Sequence, residues 1–146
     1  MLVKEILTQK TRNLITVAPE TTVKDAMKLL IDHRISCLLV TSEPKKLIGI
    51  VSDKDLFKAV YENKGVMETE TVDRFMETEV IVGLAEDDVN YIAGLMTINK
   101  VRHIPVIEGE DLVGLVSVGD VVKAHMTDIQ VENRYLKIYI SGDYPA

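Results

Sequence analysis

Residues 49–55 read Gly-Ile-Val-Ser-Asp-Lys-Asp, and residues 114–120 read Gly-Leu-Val-Ser-Val-Gly-Asp. Each stretch is an apolar run that stops at a Ser and reaches an Asp three residues later. Leu47-Ile48 and Leu112-Val113 precede them, so each run reads as a buried strand ending at Ser52 or Ser117. Leu56 to Val60 and Val121 to Ala124 follow with helical character. A hydroxyl and a carboxylate therefore stand twice where a strand hands over to a helix. Unpaired amides and the positive end of the helix dipole favour an anion such as phosphate there.

Working outward, the repetition extends along the chain. At an offset of 66, Ile15, Glu20, Val23, Leu29 and Val40 meet Ile81, Glu86, Val89, Leu95 and Val106. At an offset of 65, Leu47, Gly49, Val51, Ser52, Asp55, Lys58 and Ala59 meet Leu112, Gly114, Val116, Ser117, Asp120, Lys123 and Ala124. The one-residue change falls in Thr-Ser-Glu-Pro-Lys-Lys, a turn by composition. Identities at nearly constant offset mark a duplicated unit.

Each copy reads as β-α-β-β-α, which makes the chain α/β (α+β in its segregation). The expected first strands are Leu14 to Val17 and Val80 to Val82. Helix starts follow at Glu20-Thr21-Thr22 and Glu86-Asp87-Asp88, with a cap residue or an acid in the first turn. Second strands fall at Cys37 to Val40 and Ile104 to Val106. Leu2 to Leu7 read as a short helix ahead of copy one, echoed by Val72 to Met76. The boundaries read as repeat one over 1–62, a polar linker over 63–71, repeat two over 72–126, and a C-terminal helix with its tail over 127–146. The two repeats are expected to pack about a pseudo-two-fold axis.

Composition narrows the function classes. The chain has 146 residues, 47% of them apolar, no Trp, and a net charge of −6. That charge argues against nucleic acid or an anionic membrane as partner. Cys37 is the single cysteine, so an internal disulfide is excluded and a thiolate zinc site is disfavoured. It lies in an apolar strand and reads as inert core. His33, His103 and His125 lack metal-ligand spacing, and no metal is expected. Asp53 beside Asp55 suggests an acid/base pair, but Val118 replaces Asp53 in the second copy. No catalytic set assembles. No apolar run reaches membrane-spanning length and the N-terminus lacks a secretory pattern, so a cytoplasmic protein is expected.

The duplicated unit, the paired Gly-h-h-Ser-x-x-Asp ends, Ile15 to Val23, Arg34-Ile35-Ser36 and Val101 to Val106 together resemble a tandem pair of cystathionine β-synthase (CBS) domains, a Bateman module. The resemblance covers roughly residues 1–126 and looks like a stand-alone member. It implies a non-enzymatic regulatory module that binds an adenosine-containing ligand (AMP, ADP, ATP or S-adenosylmethionine), with no obligatory cofactor. It further implies two clefts between the repeats, a homodimer, and an unidentified protein partner. The alternative is a ligand-free dimerisation or adaptor module.

By the same resemblance, Asp55 and Asp120 would accept the ribose hydroxyls, a carboxylate with two oxygens being suited to a vicinal diol. Ser52 and Ser117 would meet the α-phosphate. Helix capping alone would account for either pair. Arg102 and His103 would face the central cleft and meet phosphate, with Lys10 a further phosphate candidate. Their counterparts Ser36 and Cys37 carry no charge, so the clefts are expected to be unequal. Ile15, Ile35, Ile81 and Val101 would wall the adenine, or serve as plain core. The arrangement is crossed: Ser52 and Asp55 go with Ile81, Val101 and Arg102, while Ser117 and Asp120 go with Ile15, Ile35 and Ser36. Gly119 would let backbone approach a ligand in the second cleft, where the first has Lys54.

Overall fold

A computed structural model describes residues 1–10, 13–65 and 68–126. The first repeat holds β1 (Thr16–Val17), α2 (Val23–His33), β2 (Cys37–Glu43), β3 (Lys46–Ser52) and α3 (Asp53–Glu62). The second holds β4 (Gly83–Leu84), α4 (Val89–Asn99), β5 (His103–Glu108), β6 (Asp111–Ser117) and α5 (Val118–His125). Helix α1 (Val3–Gln9) and a single 3-10 turn, Val72–Arg74, precede the repeats. The expected helix and tail over 127–146 fall outside the described residues.

Each repeat follows the same local logic. The Thr22 hydroxyl caps α2 by accepting from the Asp25 amide, and the Asp88 carboxylate caps α4 by accepting from the Asn90 amide. Both helices end in a left-handed residue, Arg34 (φ 54°) and Lys100 (φ 55°), which turns the chain back into β2 and β5. The strands β2 and β3 form an antiparallel hairpin, as do β5 and β6. The short strands β1 and β4 lie parallel to β2 and β5, as the crossover helix between them requires. One pairing, Lys46 with Asp111, joins the halves into a sheet of order β1-β2-β3-β6-β5-β4.

The first strands differ from expectation. Only Thr16–Val17 pairs in repeat one, and in repeat two the strand is Gly83–Leu84, beyond Val80 to Val82. The partners explain the shift. Thr16 pairs with Leu39, whose counterpart is Pro105, and proline has no amide to give a ladder. The second ladder therefore starts one residue later, at Gly83 with Val106.

The segments that precede the repeats cross over. Val3 and Ile6 of α1 are buried in the core of repeat two with Val89, Ile92, Ile104 and Val116. Val72, followed by Phe75 and Met76, packs into the core of repeat one with Val23, Leu38 and Val51. The main chain confirms the exchange: the Val89 amide donates to the Met1 carbonyl at 2.9 Å, and the Val23 amide to the Glu70 carbonyl at 2.8 Å. Two mid-strand glycines receive the crossed side chains. A methyl on Gly49 would meet Met76 Sδ at 2.6 Å, and one on Gly114 would meet Leu7 Cδ2 at 2.6 Å. Such reciprocity is what a two-fold relation between the repeats requires.

Candidate functional site

At both strand-to-helix junctions the Ser and Asp satisfy each other. The Asp120 amide donates to Ser117 Oγ at 3.1 Å, and the Ser117 amide donates to Asp120 Oδ2 at 2.8 Å. Ser52 and Asp55 repeat this at 3.1 and 2.8 Å. Each is a reciprocal capping box, in which two orphan amides find acceptors. Both hydroxyls keep their own proton for donation. Capping accounts for every side-chain hydrogen bond the first pair makes among the described residues.

The second pair does more. Ser117 and Asp120 line a cavity of about 1100 Å³, whose opposite wall comes from Ile15, Ile35 and Ser36 of repeat one. Lys10 and His103 line it as well. Lys10 Nζ donates to Asp120 Oδ2 at 2.8 Å and to the Leu115 carbonyl at 2.7 Å. His103 Nε2 lies 3.3 Å from Ser36 Oγ, so a polar contact crosses between the repeats. The crossed set expected for Ser117 and Asp120 is thus brought together in one space. Ile15 and Ile35 pack against the first core and also line the cavity.

Ser52, Asp55, Ile81, Val101 and Arg102 are not walls of this cavity. Ile81 and Val101 pack against the second core. Arg102 and His103, expected to face the same cleft, part company because successive residues entering a strand point to opposite sides. The Arg102 guanidinium reaches Asp53 of repeat one at 3.5 Å, while His103 turns into the cavity. At Ile50, the counterpart of Leu115, the main chain pairs in both directions with Glu77, at 3.0 and 2.8 Å. Lys10 occupies the Leu115 carbonyl with a side chain instead, so the two junctions are unequal in structure as well as in sequence.

Electrostatics follow the geometry. Partial burial pushes the Asp120 carboxyl up, but the Lys10 hydrogen bond, the Ser117 amide and the Lys10 charge outweigh it and hold it below its ordinary value. Burial, then the Arg102 and Lys10 charges, push His103 down against the pull of Asp120 and Asp53. Burial drives the Cys37 thiol up to about 11, which makes it a poor nucleophile at neutral pH. Among the described residues no cluster of His, Cys, Asp or Glu is gathered to hold a metal. No described helix is long and apolar enough to cross a membrane.

Some cavity residues were not read from the sequence. Asn13 and the Leu115 carbonyl are walls that no motif announces, and Arg34 stood in a quoted motif without being assigned to the site. Arg34 carries a usable signal, because it closes α2 immediately before Ile35 and Ser36, and both of those face the cavity.

The fold and site define a duplicated α/β module with a ligand-sized cleft between its halves. Comparison gives the same class: the CBS domain family matches residues 3–62 and 72–127. The chain belongs to the CBS domain family. It is 35% identical over 127 residues to the mitochondrial CBS domain-containing protein CBSX3 of Arabidopsis thaliana, covering 84% of this chain and 62% of that relative's length. The crystal structure of the CBS-domain containing protein ATU1752 from Agrobacterium tumefaciens superposes with a TM-score of 0.80 at 32% identity, over 86% of this chain and all (100%) of that one. The CBS domain pair of protein MJ0100, solved in complex with 5′-methylthioadenosine and S-adenosyl-L-methionine, has a TM-score of 0.75 at 30% identity, over 85% of this chain and 94% of that one.

Proposed function

We propose that the chain is a regulatory, non-enzymatic sensor that binds an adenine nucleotide in the cleft closed by Ser117 and Asp120. The observation that carries this reading is the crossed wall: the hydroxyl–carboxylate pair of one repeat shares a cavity with Ile15, Ile35 and Ser36 of the other. At about 1100 Å³ the space is slightly larger than typical small-ligand clefts of roughly 300–1000 Å³. The MJ0100 pair, similar over most of the chain, holds adenosine-bearing molecules. Asp120 would take the ribose diol, Ser117 and the first amides of α5 the phosphate, and the two isoleucines the base. A ligand gripped from both repeats draws them together, and a protein partner reads the altered surface. That coupling is bounded by the ligand's differential affinity for the two arrangements. Titration calorimetry with AMP, ADP, ATP and S-adenosylmethionine tests the reading. Binding by at least one, weakened in Asp120→Ala, is expected; no heat with any of them overturns it.

A second reading, a ligand-independent homodimerisation module, is favoured by exposed apolar pairs one turn apart. They are Phe57 (76% exposed) with Tyr61 (80%) on α3, and Val118 (40%) with Val122 (53%) on α5. It predicts a dimer by light scattering whose melting temperature ignores nucleotides. A bound ligand would raise that temperature by mass action.

A further inference from the structure

We propose that Lys10 is a specificity residue that exchanges partners when ligand enters: it releases Asp120 to the ribose diol and takes the ligand's 5′ phosphate, so the cleft selects an anionic nucleotide over neutral adenosine or a cationic sulfonium nucleoside. This rests on the nucleotide reading above and names the charge class that the same site accepts.

The starting point is a conflict. The carboxylate best placed for a ribose is already engaged: Asp120 Oδ2 holds Lys10 Nζ at 2.8 Å. Both side chains are largely shielded, at 29% and 20% exposure, so solvent screens this pair less than a surface one. A diol that takes Asp120 strips Lys10 of its one anionic partner among the described residues. The ammonium keeps only the Leu115 carbonyl, at 2.7 Å. Arg34 adds a second permanent positive charge to the same walls. The other wall carboxylate, Asp32, is held by Lys28 at 2.5 Å. A partly buried cation without a counter-charge is costly.

An anionic ligand resolves the conflict by supplying the missing charge. Adenosine would displace the ammonium and return nothing, and a sulfonium nucleoside would set a cation beside it. The exchange is open to Lys10 because it ends α1 at the cavity and its Nζ already reaches Asp120, in the same lining as Ser117. The device belongs to one cleft only. Met76 lies on Gly49 as Leu7 lies on Gly114, so three residues further on the counterpart of Lys10 is Glu79, which carries no positive charge.

The test is calorimetric titration of the wild type, Lys10→Met and Lys10→Gln with AMP, adenosine and S-adenosylmethionine, each variant first shown to melt cooperatively. The wild type is expected to bind AMP more tightly than adenosine by on the order of tenfold or more. Lys10→Met is expected to weaken AMP by roughly ten- to a hundredfold. It should leave adenosine unchanged or tighter, because Asp120 is then vacant. Lys10→Gln, which keeps the stem and loses the charge, should behave the same way. Equal loss of AMP and adenosine in both variants, or wild-type affinity that does not depend on ligand charge, overturns the exchange while leaving the nucleotide site standing. Silence from every ligand with every protein removes the nucleotide reading and this inference with it.

Discussion

Lys10 Nζ sits 2.8 Å from Asp120 Oδ2, tying the end of α1 to the first turn of α5 across 110 positions of sequence. The pair fastens the crossed helix to the repeat that receives it. Its dependence on pH has a definite sign. The folded carboxyl is held below its ordinary value, so its contribution is complete above about pH 4. It is lost as pH falls through the lower, folded value. Acid titration followed by circular dichroism should show Asp120→Asn losing less stability than wild type below about pH 4. A parallel loss in the two proteins would mean that the pair contributes nothing to folding.

The two capping boxes allow the structural and the functional roles to be separated. Ser52→Ala and Ser117→Ala each remove one cap, at about 1 kcal/mol in chemical denaturation. The stability costs should be similar, because the distances match. Nucleotide affinity should not be. Only Ser117 lines the cavity, so only Ser117→Ala should weaken AMP. Equal effects of the two variants on affinity would show that the cavity is not where ligand sits.

Much of this architecture is legible in the sequence, and what is not has a physical reason. The repeat, its β-α-β-β-α order and the two Ser–Asp junctions are readable because both halves carry the same residues at a nearly constant offset. The crossed set Ile15, Ile35, Ser36, Ser117 and Asp120 followed from the family resemblance rather than from any local pattern. The exchange of the preceding segments was not readable, because the apolar spacing of Val3 and Ile6 shows a buried face without showing which core buries it. The separation of Arg102 from His103 depends on where β5 begins, and strand boundaries are weakly marked by composition. The late start of β4 was readable in principle, since Pro105 is visible opposite it.

His103 should make stability sensitive near neutrality. Burial and the charges of Arg102 and Lys10 lower its folded value below the ordinary one near 6.5, against the pull of Asp120 and Asp53. Between those two values the unfolded chain binds more protons, so stability rises with pH and is lost as pH falls through the folded value. His103→Gln, which can still hydrogen-bond Ser36, removes that titration. Melting temperatures measured from pH 7.5 down to 5.0 should fall less steeply for the variant than for wild type. Identical slopes would show that His103 titrates alike in both states.

The glycine under Leu7 gives the most direct check on the crossed helix. A Cβ at position 114 would lie 2.6, 2.8 and 3.2 Å from Leu7 Cδ2, Cδ1 and Cγ, too close for any of them to stay. Gly114→Ala should destabilise by about 1–3 kcal/mol, as overpacking does. Because the clash is with one side chain, Leu7→Ala should relieve it. The double variant is then expected to be more stable than the sum of the single losses allows, by roughly 0.5–3 kcal/mol of coupling. At Gly49 a Cβ would meet Met76 Sδ and Cγ at 2.6 and 2.9 Å, in an adaptable side chain, and also the Glu77 carbonyl at 3.1 Å, so truncating Met76 should relieve only part of the cost there. Additive losses for Leu7 and Gly114 would mean that α1 does not rest on β6, and Lys10 would then have no fixed route to Asp120.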